Sequence, residues 1–129
     1  MATFRFELQA VLDARLRAEE LCQCRVAELE ASRRRLEDGL RAQQARIGES
    51  REQLRGRLLG PIDANTLRGQ ANASLAGMRD AQRVVLELAG IHRRLQGVVE
   101  ELRAASRDRR AVEILKERRY EDWRREQDR

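Results

Sequence analysis

One histidine, two cysteines and many carboxylates are the residues of this chain whose types could do chemistry. Zinc binding or a catalytic triad needs several such side chains gathered at one point, whereas His92 stands alone of its kind within an apolar helical stripe. It reads as a seam residue. Cys22 and Cys24 lie two apart, which on a helix sends their side chains to nearly opposite faces, so they neither pair with each other nor pinch a metal. They read as two small buried or half-buried thiols. Carboxylate pairs such as Glu100-Glu101 would need desolvation to reach the pKa of an acid catalyst, and an exposed helix supplies none. The eight glycines are scattered, and Gly60-Pro61 lacks the Lys-Ser/Thr that completes a phosphate-cradling loop. No catalytic, cofactor or metal constellation is predicted, and the chain is read as not an enzyme.

The elements that carry these residues follow from composition. Of 129 residues, 38% are charged and only four are aromatic, Phe4, Phe6, Tyr120 and Trp123. Large apolar side chains for a compact core are missing, and Leu, Ala and Val are interleaved instead with Arg, Glu and Gln. That is the chemistry of long solvated helices. The longest apolar runs, such as Val84-Val85-Leu86, fall far short of the roughly 18 to 20 residues of a membrane-spanning helix. Arg5 and Glu7 interrupt what a signal peptide would keep apolar, so a cytoplasmic location is expected. Lys116 is the only lysine, an imbalance that reads as genomic base composition. The net charge of +5 raises nucleic acid, but acids punctuate every basic cluster, as in KERRYEDWRRE, and cancel the local field that phosphates exploit. A proline-interrupted heptad array is likewise a poor basic-zipper arm.

Hydrophobic periodicity then orders the chain. Leu8, Cys22, Leu29 and Leu36 share one slot of a seven-residue frame, and Leu12, Val26, Leu40, Ile47 and Leu54 share the other. Arg15, Glu19, Arg33, Gln43 and Ser50 interrupt these slots, and Leu16, Ala18 and Leu21 form a displaced stripe, so an irregular seam is expected. Exposed pairs Glu30 with Arg34 and Glu37 with Arg41 are spaced to support helicity. Gly60 is placed to end the first helix in a left-handed conformation, Pro61 to block its continuation, and Asp63 or Asn65 to cap the next. Downstream, Leu67, Leu88, Leu95 and Leu102 fill one slot and Ala71, Met78, Val85, His92 and Val99 the other, with a frame shift to Ala105, Val112 and Leu115. The predicted fold is all-α, a long two-helix antiparallel coiled-coil hairpin. Its single domain spans 1–129, with helices at about 4–58 and 66–125 and a tip at about 59–65. Each helix would run on the order of 80–90 Å at ~1.5 Å per residue. Glycines 39, 48, 69, 77, 90 and 97 inside them predict bending or fraying. The hairpin brings the four aromatics together at the open end, away from the tip.

At that open end the residues carry a resemblance. Phe4-Arg5-Phe6-Glu7-Leu8 through Leu12 and Arg15 follows F-x-F-x-L-x-x-x-L-x-x-R, which resembles the opening of the bacterial flagellar export protein family FliJ. Leu115-Lys116-Glu117-Arg118-Arg119 and the following Arg124-Arg125-Glu126 are similar to that family's tail. Length, the mid-chain Gly-Pro break and the returning helix fit as well. The chain stops at Asp128-Arg129, where many members continue with a charged extension.

The resemblance implies a stalk of the flagellar type III export apparatus. It would insert into the hexameric export ATPase ring, touch the export gate protein FlhA and help escort export chaperones, meeting the inner membrane's cytoplasmic face only through these partners. By that resemblance the ring surface would involve Phe4, Phe6, Arg15, Arg118, Arg119, Tyr120 and Trp123. An equal reading is that Phe4 and Phe6 pack on Tyr120 or Trp123 and close the hairpin end. The gate surface would involve Gln43, Arg46 and Ser50, facing Leu75, Met78, Ala81 and Val85, although the aromatic contacts of some members are absent. For the last four the stronger expectation is a place in or near the seam. The heptads alone also permit a generic coiled-coil adaptor or a stalk of a non-flagellar secretion system. The third alternative, a basic helix that binds DNA, has the least support.

Overall fold

The structure, a computed structural model, describes residues 2–129, so Met1 of the predicted domain lies outside it. Two helices, α1 (Gln9–Arg57) and α2 (Ala64–Gln127), make an all-α antiparallel hairpin. The helical stretches are rich in Ala, Leu, Arg, Glu and Gln, the residues that lose least side-chain freedom in a helix. The chain divides into two compact units, one of Met1–Glu28 with Leu95–Arg129 and one of Leu29–Arg94.

α1 starts at Gln9 rather than near Phe4, because residues 2–6 lie outside regular secondary structure and residues 7–8 form a turn into the helix. Phe4 and Phe6 are half-buried on either side of exposed Arg5, a two-residue period with one covered face. The F-x-F motif therefore belongs to a strap beside α2 and not to the helix.

The break between the helices uses the predicted residues differently from the prediction. Asp63 caps α2: its carboxylate accepts from the Asn65 backbone N–H at 3.1 Å and its carbonyl from the Leu67 N–H at 3.2 Å. Gly60 does not adopt the left-handed conformation, and no described residue has a positive φ. The Gly60 N–H instead closes a tight turn on the Arg57 carbonyl at 3.3 Å, and the following proline keeps Gly60 out of the helical region.

The burial pattern corrects the seam. Along α2 Gly77, Val84, Ile91, Val98, Ala105 and Val112 are covered in one slot and Ala81, Leu88, Leu95, Leu102, Arg109, Lys116 and Trp123 in the other, and Val99, Ser106, Glu113 and Leu115 beside them are half-buried as well. The second slot agrees with the expected one at Leu88, Leu95 and Leu102. The first is one residue earlier than expected, which leaves Ala71, Met78, Val85 and His92 exposed. The doublets Val84-Val85 and Val98-Val99 allow either register, but only the earlier one continues into Ala105 and Val112 instead of Ser106 and Glu113. With the slot moved by one, the frame shift beyond Leu102 disappears. On α1, Leu12, Glu19, Val26, Arg33, Leu40, Ile47 and Leu54 form an unbroken covered slot. Gln9 and Leu16 face inward where Leu8 and Arg15 were expected, and Cys22, Leu29, Leu36 and Gln43 follow as predicted.

Among the described residues only Leu12, Ile91 and Leu95 are buried, at 4%, 7% and 8% exposure. In the unit of residues 29–94, the covered positions early in α2 are Thr66, Gln70 and Gly77, none of them a large apolar side chain. Helix opening there exposes little apolar surface and so costs little. Amide hydrogen exchange over 64–80 is expected to run at least about tenfold faster than over 98–116. Equal protection of the two stretches would contradict this seam assignment.

Candidate interaction surfaces

Polar residues inserted in the seam find partners across it. In the unit that holds both termini, Glu19 accepts from Arg109 Nε at 2.6 Å, and both side chains are largely covered. Arg109 Nη1 also donates to Glu113 at 2.7 Å, and Arg110 bridges Glu113 and Glu117 at 3.2 and 3.3 Å. Lys116 Nζ donates to Gln9 Oε1 at 2.7 Å and lies 6.0 Å from the Phe6 ring centroid. Arg15 with Asp108 and Arg25 with Glu101 add exposed bridges, the later residue of α1 taking the earlier partner on α2 as in an antiparallel pair. Charge at positions 109 and 116, which mimicked a frame shift in the sequence, is thus accommodated in the unbroken seam.

This network carries a pH signature. Hydrogen bonding from Arg109, reinforced by Arg110, holds the Glu113 carboxyl below the usual carboxylate range, while Glu19 and then Glu113 raise the Arg109 guanidinium. A carboxylate depressed by folding stabilises the fold above its unfolded pKa of about 4.3, and that contribution fades as pH falls through the folded value. The melting temperature is therefore expected to drop on acidification below about pH 4. Glu113→Gln should flatten that drop when melts are followed by circular dichroism, and an unaltered pH profile would remove Glu113 from the account.

At the same unit's end the aromatics meet. Phe4 lies edge-on to Tyr120 at 5.4 Å and 5.9 Å from Trp123, and Tyr120 stacks on Trp123 at 5.9 Å. Of the residues predicted for a ring surface, Phe4, Tyr120 and Trp123 form this cluster, Phe6 sits by Lys116, and Arg15 pairs with Asp108. Arg118 and Arg119 are exposed, and neither pairs with an acid among the described residues.

In the unit of residues 29–94, Gln43 Nε2 donates to the Gly77 carbonyl at 2.7 Å. Gln43, Arg46, Ser50 and Met78, all predicted for a gate surface, line one groove of about 590 Å³ with Ile47 and Leu54. Ala81 faces the seam, but Leu75, Met78 and Val85 do not: they form an exposed stripe beside it. The slot expected for Met78 and Val85 is corrected, because the covered one holds Gly77 and Val84, while a place near the seam holds for all three. Arg33, in the seam, bridges to Glu37 at 3.8 Å, Glu30 pairs with Arg34 as expected, and Arg41 takes Asp38 rather than Glu37. Cys22 is half-buried in the seam, while Cys24 is exposed and so not covered as expected. No helix is long and apolar enough among the described residues to cross a membrane.

These features define an all-α antiparallel two-helix hairpin with a thin seam and charged flanks. The chain matches the family model described as "Flagellar FliJ protein" over residues 4–129, and it belongs to that family. The family is a non-catalytic component of flagellar protein export. Neither the comparison with curated proteins nor that with solved structures returns a match. Phe4 packs on Tyr120 and Trp123 as the end-closing reading expected, and Phe6 lies by Lys116 instead, whereas the Glu19–Arg109 pair was not foreseen. Its signal was an acid and a base in seam slots that an antiparallel register sets opposite each other.

Proposed function

We propose that the chain is the stalk of the flagellar export apparatus, which enters the export ATPase ring, couples it to the gate protein FlhA and helps escort export chaperones. Membership of the FliJ family over nearly the whole chain carries this reading. The geometry supports it with two surfaces. Phe4, Tyr120 and Trp123 stiffen the end that would enter the ring, and the exposed Arg118 and Arg119 are left to meet acidic groups of a partner. The groove of Gln43, Arg46, Ser50 and Met78, with Leu75 and Val85 exposed on α2, supports a gate contact. The apparatus lies at the cytoplasmic face of the inner membrane, which this chain would reach through its partners. Purified chain mixed with the flagellar export ATPase hexamer, and separately with the cytoplasmic domain of FlhA, is expected to co-elute with each on size exclusion. Failure to bind the ATPase would defeat the stalk assignment.

A further inference from the structure

Charge is distributed unequally between the two units. Residues 29–94 hold 13 arginines against 8 acids, whereas the remaining residues hold 14 bases against 14 acids. The whole net charge of +5 therefore belongs to the unit of Leu29–Arg94. That unit also contains a second groove of about 650 Å³, apart from the gate groove, with Leu36, Leu86 and Ile91 as its apolar lining. Leu86 is 73% exposed, far more than a leucine of the seam. Three arginines line the same groove: Arg35 donates to Ser32, Arg83 pairs with Asp80 at 3.3 Å, and Arg94 has no acid partner among the described residues. Glu87 is the single acid of the lining, and Gly90 lines the groove without a side chain, its nearest neighbour being the Arg94 guanidinium.

We propose that this groove is a docking site for an acidic amphipathic helix of a partner protein. Leucine-type residues of such a helix would cover Leu86 and Leu36, and its carboxylates would meet Arg35, Arg83 and Arg94, the helix-in-groove mode of recognition. Arginine's planar fork suits carboxylates two at a time. A second copy of this chain would bring the same positive unit against itself, which like-charge repulsion opposes. The surface goes beyond the proposed ring and gate contacts, and none of its residues belongs to either set.

The test is anisotropy of a fluorescent helical peptide of about five turns, leucine on one face and glutamate on the other, titrated with the full chain. A twin with lysine for glutamate serves as the comparison. The acidic peptide is expected to bind saturably and the lysine twin not at all. Arg83→Glu with Arg94→Glu should weaken binding by about tenfold or more. Gly90→Met should do the same by filling the groove, with no fall in melting temperature because methionine favours helix over glycine. Gln43→Ala, in the gate groove, should leave the affinity unchanged. The proposal is overturned by an acidic peptide that binds no better than its twin, by indifference to Gly90→Met, or by equal loss on Gln43→Ala. Duplex DNA that binds as tightly as the peptide, and survives Leu86→Ser, would also overturn it by marking a general polyanion surface.

Discussion

Leu12→Ala lowers stability by about 2–4 kcal/mol, the expected loss for truncating a buried leucine where surrounding residues close only part of the cavity. Leu12 is the most buried apolar residue described, at 4% exposure, and only Ile91 and Leu95 join it below a tenth. A fold with so thin a seam holds a net stability of the order of 5–15 kcal/mol at most, so one such deletion removes a large fraction of it. A drop in melting temperature of roughly 8–15 °C should follow, measured by helical ellipticity. Leu95→Ala should behave alike. Leu59→Ala, at a position 92% exposed in the turn between α1 and α2, should stay within about 0.5 kcal/mol of the parent. Equal effects at positions 12 and 59 would mean that the helices are not held by the seam described.

Arg118→Glu combined with Arg119→Glu is expected to weaken binding to the export ATPase ring by about 10- to 100-fold at low salt. Both side chains are exposed and free of acids among the described residues, so the fold does not need their charge and a partner can use it. Reversing them should leave the melting temperature near that of the parent, whereas Trp123→Ala should lower it by removing a face of the aromatic cluster. Affinity of the unmutated chain should fall with added salt, since exposed charges are screened over about 10 Å at 0.1 M. Isothermal titration with the hexamer reads both effects. Unchanged affinity for the double reversal would move the ring surface away from these arginines.

The aromatic cluster also shows why the two readings of Phe4 and Phe6 could not be separated by sequence. Packing against Tyr120 and partner binding both call for aromatics at the paired ends, and the rings can serve either use until their neighbours are known. In the structure Phe4 takes Tyr120 and Trp123 as neighbours, and this supports a role in closing the end. Arg118 and Arg119 alone of that set make no ion pair, hydrogen bond or ring contact among the described residues.

Helix content, the single break at Gly60-Pro61 and the slot of Leu88, Leu95 and Leu102 were determined by the sequence, because each rests on local chemistry or a strict seven-residue spacing, whereas the cap stayed open between Asp63 and Asn65 until the structure selected Asp63. The second slot was not so determined. Val84 beside Val85 and Val98 beside Val99 satisfy two registers alike, and although Ile91, Ala105 and Val112 favour the earlier one over His92, Ser106 and Glu113, the packing of the opposing helix fixes it. Tertiary structure covers Val84 and Ile91 and leaves Met78, Val85 and His92 outside, while Val98 and Val99 are both half-buried. It also decided the fate of charges at seam positions. Arg109 and Lys116 look like breaks along one helix, since a lone charge in an apolar slot is costly, but Glu19 and Gln9 across the seam satisfy them. A partner's hydrogen bond is a property of two helices together, and no single stretch of sequence contains it.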